Sequence, residues 1–276
     1  MGETCVPNTP KRIIAISQFT LGNLLALNVK PIASASALSD SETDFPAYFG
    51  KVVNGIKQLG SQYEPNLERL LLSKPDLILG WDAVNRSYPL LSQISPTALD
   101  TWQGMPSWRE HFDFIAKVLG KEEVERQAWI HYSQRIKELR LALKNRFMSK
   151  TISVVFINDE LGYRVLAKNS FIGSILDDLD LKRPDAQNAT TPNGWIFSTS
   201  QEKLEEIDGD ILFVLTLKSN DTHLLEKVLQ KALWQKLKAV RTQQVYNVNA
   251  LTWVGSNLIA ANVVIDDLYN HLVNSP

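Results

Sequence analysis

Arg86 and Tyr88 lie just past an apolar run that stops at Gly80, and Arg164 sits in a short run, Tyr163–Ala167, that reads as the hairpin partner of Thr151–Ile157 across a turn at Asp159–Gly162. An arginine's planar fork suits carboxylates and other anionic oxygens. Trp81, Trp102, Trp195 and Trp253 fall in stretches without helical period, as expected of loops. Each offers a wide apolar face and one N–H donor, apt for an aromatic or macrocyclic ligand, and two of the four are expected to touch it. Trp129 and Trp234, in helical stretches, read as core, and Trp108 as a helix-start packing residue. Each arginine reads equally as a solvated or structurally paired side chain. These residue types hold a ligand; they do not transform one.

No group for chemistry stands beside them. The chain has no G-x-G-x-x-G after a strand, no G-x-x-x-x-G-K-[ST] and no G-x-S-x-G elbow. His111, His131, His223 and His271 are scattered and form no H-x-x-x-H pair, so neither a catalytic residue nor a metal site is expected. Cys5 is the single cysteine, which excludes an internal disulfide and a thiolate cage.

A phrase occurs twice. Asn66–Leu79 and Ser200–Phe213 each open on an N-cap type residue two places before a glutamate, Glu68 or Glu202. Each then runs as a short amphipathic helix, breaks at Pro75 or Gly209, and reaches Asp76 or Asp210 before a strand-like run. A carboxylate in a helix's first turn gains about 0.3–1 kcal/mol from the helix dipole, which is reason enough for either glutamate. A second echo sets Leu21–Leu25 with Val29–Pro31 beside Ile172–Leu176 with Leu181–Pro184. Two echoes in one order imply related halves, and related α/β halves enclose a ligand between them.

The elements that position these residues follow from period. Strands are expected at Lys11–Ser17, Pro31–Ala35, Val52–Val53, Leu77–Leu79, Thr151–Ile157, Tyr163–Ala167 and Val245–Val248. Helices are expected at Leu21–Leu27, near Leu90, and at Arg109–Leu119, Leu224–Val240 and Leu258–Val273. Trp129, Tyr132, Ile136, Leu139, Leu143 and Phe147 mark one stripe of a long helix from Glu122. The fold class is α/β: an N-terminal lobe over 1–121, a connecting helix over 122–148 and a C-terminal lobe over 149–276. Each lobe holds a mostly parallel sheet covered by helices, with ligands outside the strands' carboxyl ends.

With 276 residues, 44% apolar, 21% charged and a net charge of −1, the chain reads as an ordinary globular protein without the basic face of a nucleic-acid binder. No apolar run approaches a membrane span, and Met1–Thr4 carries no secretory core or lipoprotein leader. Either the protein is cytosolic, or a signal was removed and Met1-Gly2 was added for expression.

Five stretches together carry a family resemblance: P-K-R-I-I-A, L-E-R-L-L-L-S-K-P-D-L-I-L, W-R-E-H-F-D-F-I-A-K-V-L-G-K, E-K-L-E-E-I-D-G-D-I-L-F and L-W-Q-K-L-K-A-V with V-Y-N-V. In this order the chain resembles, over nearly its whole length, the iron-siderophore substrate-binding proteins of ABC importers, the ferric dicitrate and ferrichrome class. The resemblance implies two α/β lobes joined by one long helix, a ferric siderophore in the cleft between them, no cofactor, and a monomer that partners a membrane permease. It implies a periplasmic or extracytoplasmic surface location with the leader removed, and no membrane insertion by this chain. By the family's motif, Glu68 and Glu202 face arginines of the permease. The iron arrives wrapped in siderophore oxygens, so the protein binds the shell. The same scaffold carries cobalamin and haem in other members, which stay as alternatives, with a cytosolic enzyme or sensor domain as a third.

Overall fold

The computed structural model describes residues 4–37, 45–147, 149–157, 162–198, 201–217 and 222–274. The N-terminal half reads β1 (Ile13–Ala15), α1 (Gln18–Ala26), β2 (Ala33–Ser36), β3 (Lys57–Ser61), α2 (Leu67–Leu72), β4 (Leu77–Trp81), α3 (Tyr88–Ile94), β5 (Thr97–Asp100) and α4 (Trp108–Val118). The strands form one sheet in the order β3-β2-β1-β4-β5, and every pairing is parallel. A parallel sheet is covered on both faces, which is why Ile13–Ala15 and Leu77–Trp81 are buried at every position.

Helix α5 (Glu122–Phe147) has 26 residues, about 39 Å at 1.5 Å per residue. Its expected stripe is buried from Tyr132 through Ile136, Leu139 and Leu143 to Phe147. Trp129 at the head of the stripe is half-buried, its Nε1 donating to Glu125 at 3.1 Å and its ring tilted against Trp108.

The C-terminal half reads β6 (Ile152–Phe156), β7 (Tyr163–Leu166), α6 (Phe171–Asp178), β8 (Trp195–Ser198), β9 (Ile211–Thr216), α7 (Thr222–Leu229), α8 (Lys238–Arg241), β10 (Val245–Asn249), α9 (Ala250–Trp253) and α10 (Leu258–Leu272). Its sheet runs β10-β9-β6-β7-β8, parallel from β10 to β6 and antiparallel through β7 and β8. The chain thus forms two α/β lobes joined by one long helix. By contact, the compact units divide inside α5, between Tyr132 and Ser133; residues 257–260 belong to the first unit and 104–106 to the second.

Several expected elements change. Val52–Val53 is the end of a 3-10 helix, Ala47–Val53, and the strand is β3, further along. The single helix over Leu224–Val240 is instead α7, which ends at Leu229, a 3-10 turn at Trp234–Lys236 and α8, the last two separated by an extended Leu237. Strands β5 and β8 lie in stretches without strand assignments from sequence. The second copy of the repeated phrase is a 3-10 helix, Gln201–Ile207; its N-cap position, Ser200, lies outside the described residues, as does most of the turn expected at Asp159–Gly162.

Both echoes have a structural reason. Helices α1 and α6 start on serine N-caps, Ser17 and Ser170, each accepting a backbone N–H at 3.0 Å. Both end on a left-handed residue, Asn28 (φ 59°) and Asp180 (φ 55°). The following N–H groups reach back alike, Val29 to Leu24 O at 2.9 Å and Leu181 to Leu176 O at 3.0 Å, the Schellman closure. Gly22 and Gly173 allow close approach: a Cβ would lie 2.2 Å from Asn257 at the first and 2.3 Å from two main-chain oxygens at the second.

The repeated aspartates do one job twice. Asp76, just before β4, accepts the backbone N–H groups of Lys11 and Arg12 at 2.7 and 2.9 Å, ahead of β1. Asp210, just before β9, accepts the Thr151 N–H and hydroxyl at 2.8 and 3.1 Å, ahead of β6. Each carboxylate fixes the entry of the strand its own strand pairs with.

Candidate functional site

The carboxyl ends of β1 and β4 are neighbours in the N-terminal sheet, and both release aromatic side chains there. Beyond β1, Ser17 caps α1 and puts Phe19 in its first turn. Trp81 ends β4, and the next residue, Asp82, accepts the Trp102 N–H at 3.1 Å, which holds the segment after β5 against β4. Phe19 and Trp102 stack, centroids 4.8 Å apart and planes 3° from parallel. Trp81 stands edge-on to both, at 5.4 and 5.3 Å, and Tyr63 tilts against it at 5.8 Å.

The aromatic cluster grades from buried to open: Trp81 is 5% exposed, Phe19 and Trp102 are half-buried, and Tyr63 is 60% exposed. Beneath it His111 is buried, edge-on to Trp102 at 5.6 Å. Its Nδ1 lies 3.0 Å from Asp100 Oδ2 and its Nε2 2.9 Å from Thr20 Oγ1. An ionised carboxylate only accepts, so Nδ1 carries the proton toward Asp100 and Nε2 faces the Thr20 hydroxyl. That bridge ties α4 to α1 and β5 and supports the stack from below. Two buried polar atoms here, Trp81 Nε1 and Gln18 Oε1, have no hydrogen-bond partner among the described residues.

Arg86 is exposed on the 3-10 turn Asp82–Ser87 that follows Trp81. Tyr88, the first residue of α3, is not among these rings; its hydroxyl lies 3.4 Å from Thr4 Oγ1.

In the C-terminal lobe Arg164 is exposed on β7, directly opposite Phe156 on β6 and Phe197 on β8. Alternation sends its neighbours Tyr163 and Val165 to the other face, into a buried cluster with Val155, Leu212, Val214 and Trp234. Trp195 begins β8, half-buried, with its ring 6.0 Å from Phe156. Of the four tryptophans expected in loops, only Trp102 is outside regular structure; Trp81 and Trp195 are in strands.

Trp253 is a correction. It ends α9, is 0% exposed, packs on Phe213 at 4.7 Å and donates its Nε1–H to Asp267 Oδ2 at 2.9 Å. Ring and donor are both consumed by the lobe's core, whereas the Trp81 donor is not.

Glu68 is exposed in the first turn of α2, one residue inside a helix capped by the Asn66 side chain, which accepts the Arg69 N–H at 2.9 Å. The backbone of Glu202 lies in the 3-10 helix Gln201–Ile207; its side chain is outside the described residues. Sequence reasoning missed Phe19, Tyr63 and Phe156. A signal existed for Phe19, since Ser17-Gln18-Phe19-Thr20 lies at a strand's carboxyl end and before a helix.

Among known proteins the chain is 29% identical over 282 residues to a probable siderophore-binding lipoprotein of Bacillus subtilis, YfiY, covering 98% of this chain and 85% of that one. It is 28% identical over 267 residues to the achromobactin-binding periplasmic protein of Dickeya dadantii, covering 94% and 85%. Its fold matches Staphylococcus aureus SirA, solved complexed with staphyloferrin B, with a TM-score of 0.82 at 25% identity over 99% of this chain and 96% of that one. The family model described as periplasmic binding protein matches residues 13–250, from β1 to the start of α9, and on that match the chain belongs to the periplasmic binding protein family.

Proposed function

We propose that this chain is the extracytoplasmic receptor of an ABC importer, capturing a ferric siderophore for iron uptake. The observation that carries the reading is the stacked and edge-on group of Phe19, Trp81 and Trp102 at the carboxyl ends of an all-parallel sheet, where such sheets bind ligands. An open aromatic face suits the flat or cyclic organic shell of a metal chelate. The relatives support the ligand class, since their names specify a siderophore and achromobactin, and the solved neighbour holds staphyloferrin B.

In the N-terminal lobe we assign the ligand contacts to Trp81, Trp102 and Phe19, with Arg86 as the cation. In the C-terminal lobe we assign them to Arg164 and Trp195. Both arginines are exposed, and a guanidinium engages anionic oxygens of the chelate as a fork. Tyr88 is the weakest assignment, because its hydroxyl is near Thr4. The role is binding and delivery without turnover, as a monomer that docks on the permease through Glu68 and Glu202.

The test is a tryptophan-fluorescence titration with ferric hydroxamate, catecholate and citrate complexes, with haem and cobalamin alongside. Saturable submicromolar quenching by one siderophore class is the expected result. Tight binding of haem or cobalamin with silence across the siderophores would overturn the ligand.

A further inference from the structure

The opposite, amino-terminal end of the N-terminal sheet carries a cavity of about 400 Å³ with a different character. Its wall is formed by Arg12, just before β1, Ile32, just before β2, and Lys57, the first residue of β3, with Lys30, Gly55 and Ser73 around them. Among the described residues three cations line it and no carboxylate does. Asp76, next to Arg12, is turned to the main-chain N–H groups of Lys11 and Arg12.

Two of the cations are held in place by backbone oxygens. Arg12 donates Nε–H to Lys74 O at 2.8 Å and Nη2–H to Ser73 O at 2.5 Å, which fixes the guanidinium and leaves Nη1 uncommitted among the described residues. Lys30 donates to Asn54 O at 2.6 Å, one of the three N–H groups of its ammonium. Lys57 is exposed and has no hydrogen-bond or ion-pair partner among the described residues. At Gly55 (φ 83°) an added Cβ would meet nothing within 4 Å, so the rim is open. Like charges gathered around one cavity repel, and an anion with several oxygens reverses the sign of every one of those interactions.

We propose that this cavity is a second binding site, for a phosphate-type oxyanion held by Arg12, Lys30 and Lys57. A tetrahedral group can meet a guanidinium edge and two ammonium groups from different directions at once, which a single planar carboxylate does less well. The site is independent of the siderophore reading, because it lies at the other end of the strands from Phe19, Trp81 and Trp102. The same chemistry is offered by free inorganic phosphate and by the phosphodiester of an anionic lipid headgroup.

The experiment compares the full chain with the double variant Lys30→Gln, Lys57→Gln, leaving Arg12 in place because its hydrogen bonds tie β1 to the turn after α2. One arm titrates inorganic phosphate by calorimetry at low salt. The other measures co-sedimentation with vesicles of phosphatidylcholine alone and with phosphatidylglycerol added. Millimolar or tighter phosphate binding, weakened at least tenfold in the double variant and by added NaCl, supports the site with the free ion as occupant. Sedimentation only with the anionic vesicles, lost in the variant, supports it with the headgroup as occupant. Binding of neither probe, or binding that the double variant retains within twofold, overturns it. Melting curves without phosphate should coincide for both proteins, which separates loss of the site from loss of the fold.

Discussion

The ring of Trp102 lies flat on that of Phe19, centroids 4.8 Å apart, while Trp253, which looked equivalent in sequence, is wholly buried against Phe213. On the proposed assignment the two tryptophans separate binding from folding. Trp102→Ala removes a half-exposed aromatic face worth about 1.5–3 kcal/mol of contact, so affinity should fall about ten- to hundredfold. Trp253→Ala should leave affinity per folded molecule unchanged and cost about 3–5 kcal/mol of stability. Fluorescence or calorimetric titration beside urea melts distinguishes the two, and an equal loss of affinity in both variants would refute the assignment.

In the proposed site Arg164 supplies charge where Trp102 supplies surface. Arg164→Gln should weaken binding of an anionic ferric complex about tenfold, with the difference shrinking as salt rises. A neutral complex should respond less. Titrations of both ligands at two ionic strengths make the comparison, and a salt-independent loss would point to packing instead.

The repeated aspartates predict paired stability effects. Asp76→Ala frees two main-chain N–H groups, and Asp210→Ala frees one together with the Thr151 hydroxyl and the Lys238 contact at 2.5 Å. Burial pushes the Asp210 carboxyl up, but hydrogen bonds from Lys238 and Thr151 more than reverse this and hold it below its ordinary value. Each substitution should cost about 1–3 kcal/mol. The two sites share no partner, so the double variant should show the sum. Strong non-additivity in urea denaturation would contradict independent anchors.

Much of this was legible in sequence where the signal was long. The stripe from Tyr132 to Phe147 spans enough turns to fix period and face, and the duplicated Asp76 and Asp210 phrases placed β4 and β9. Strands such as Thr97–Asp100 and Trp195–Ser198 are four residues each, too short for a period to declare itself. Leu237 breaks the helix after Trp234 by adopting an extended backbone, although leucine is a good helix former. The aromatic cluster was half visible. Trp81 and Trp102 drew notice by type, but Phe19 joins them because β1 pairs with β4, a relation that only topology supplies. Trp253 misled because a Gly-Ser-Asn stretch follows it and disguised α9 as loop.

His271 offers a pH prediction. Its ring lies 4.8 Å from Tyr246 and 5.9 Å from Phe213, and burial holds its pKa below the ordinary 6.5, with Asp267 pulling the other way. Burial likewise pushes the Asp267 carboxyl up, against the hydrogen bond from Trp253. A depressed histidine binds its proton more readily in the unfolded chain. Its contribution is therefore present above pH 6.5 and is lost as pH falls through the folded value. His271→Phe should flatten that part of the stability curve in urea melts between pH 7.5 and 5, and an unchanged slope would exclude this group as its source.

Glu68 and Glu202 provide the last test, because position alone explains them equally well. Glu68 sits in the first turn of α2, where the helix dipole favours a carboxylate by about 0.3–1 kcal/mol. A residue kept for the dipole should respond to substitution in stability and nowhere else. A residue kept for a partner should respond in transport and nowhere else. Charged contacts at an interface set register and encounter rate more than affinity, and salt screens them, so the transport gap between parent and variant should narrow as ionic strength rises. The double variant Glu68→Ala, Glu202→Ala is expected to melt within about 1 kcal/mol of the parent and to bind ferric siderophore with unchanged affinity. Uptake in reconstituted vesicles carrying the cognate permease should fall at least tenfold, and the single variants should fall between. Full uptake by the double variant would return both glutamates to the helix ends they occupy.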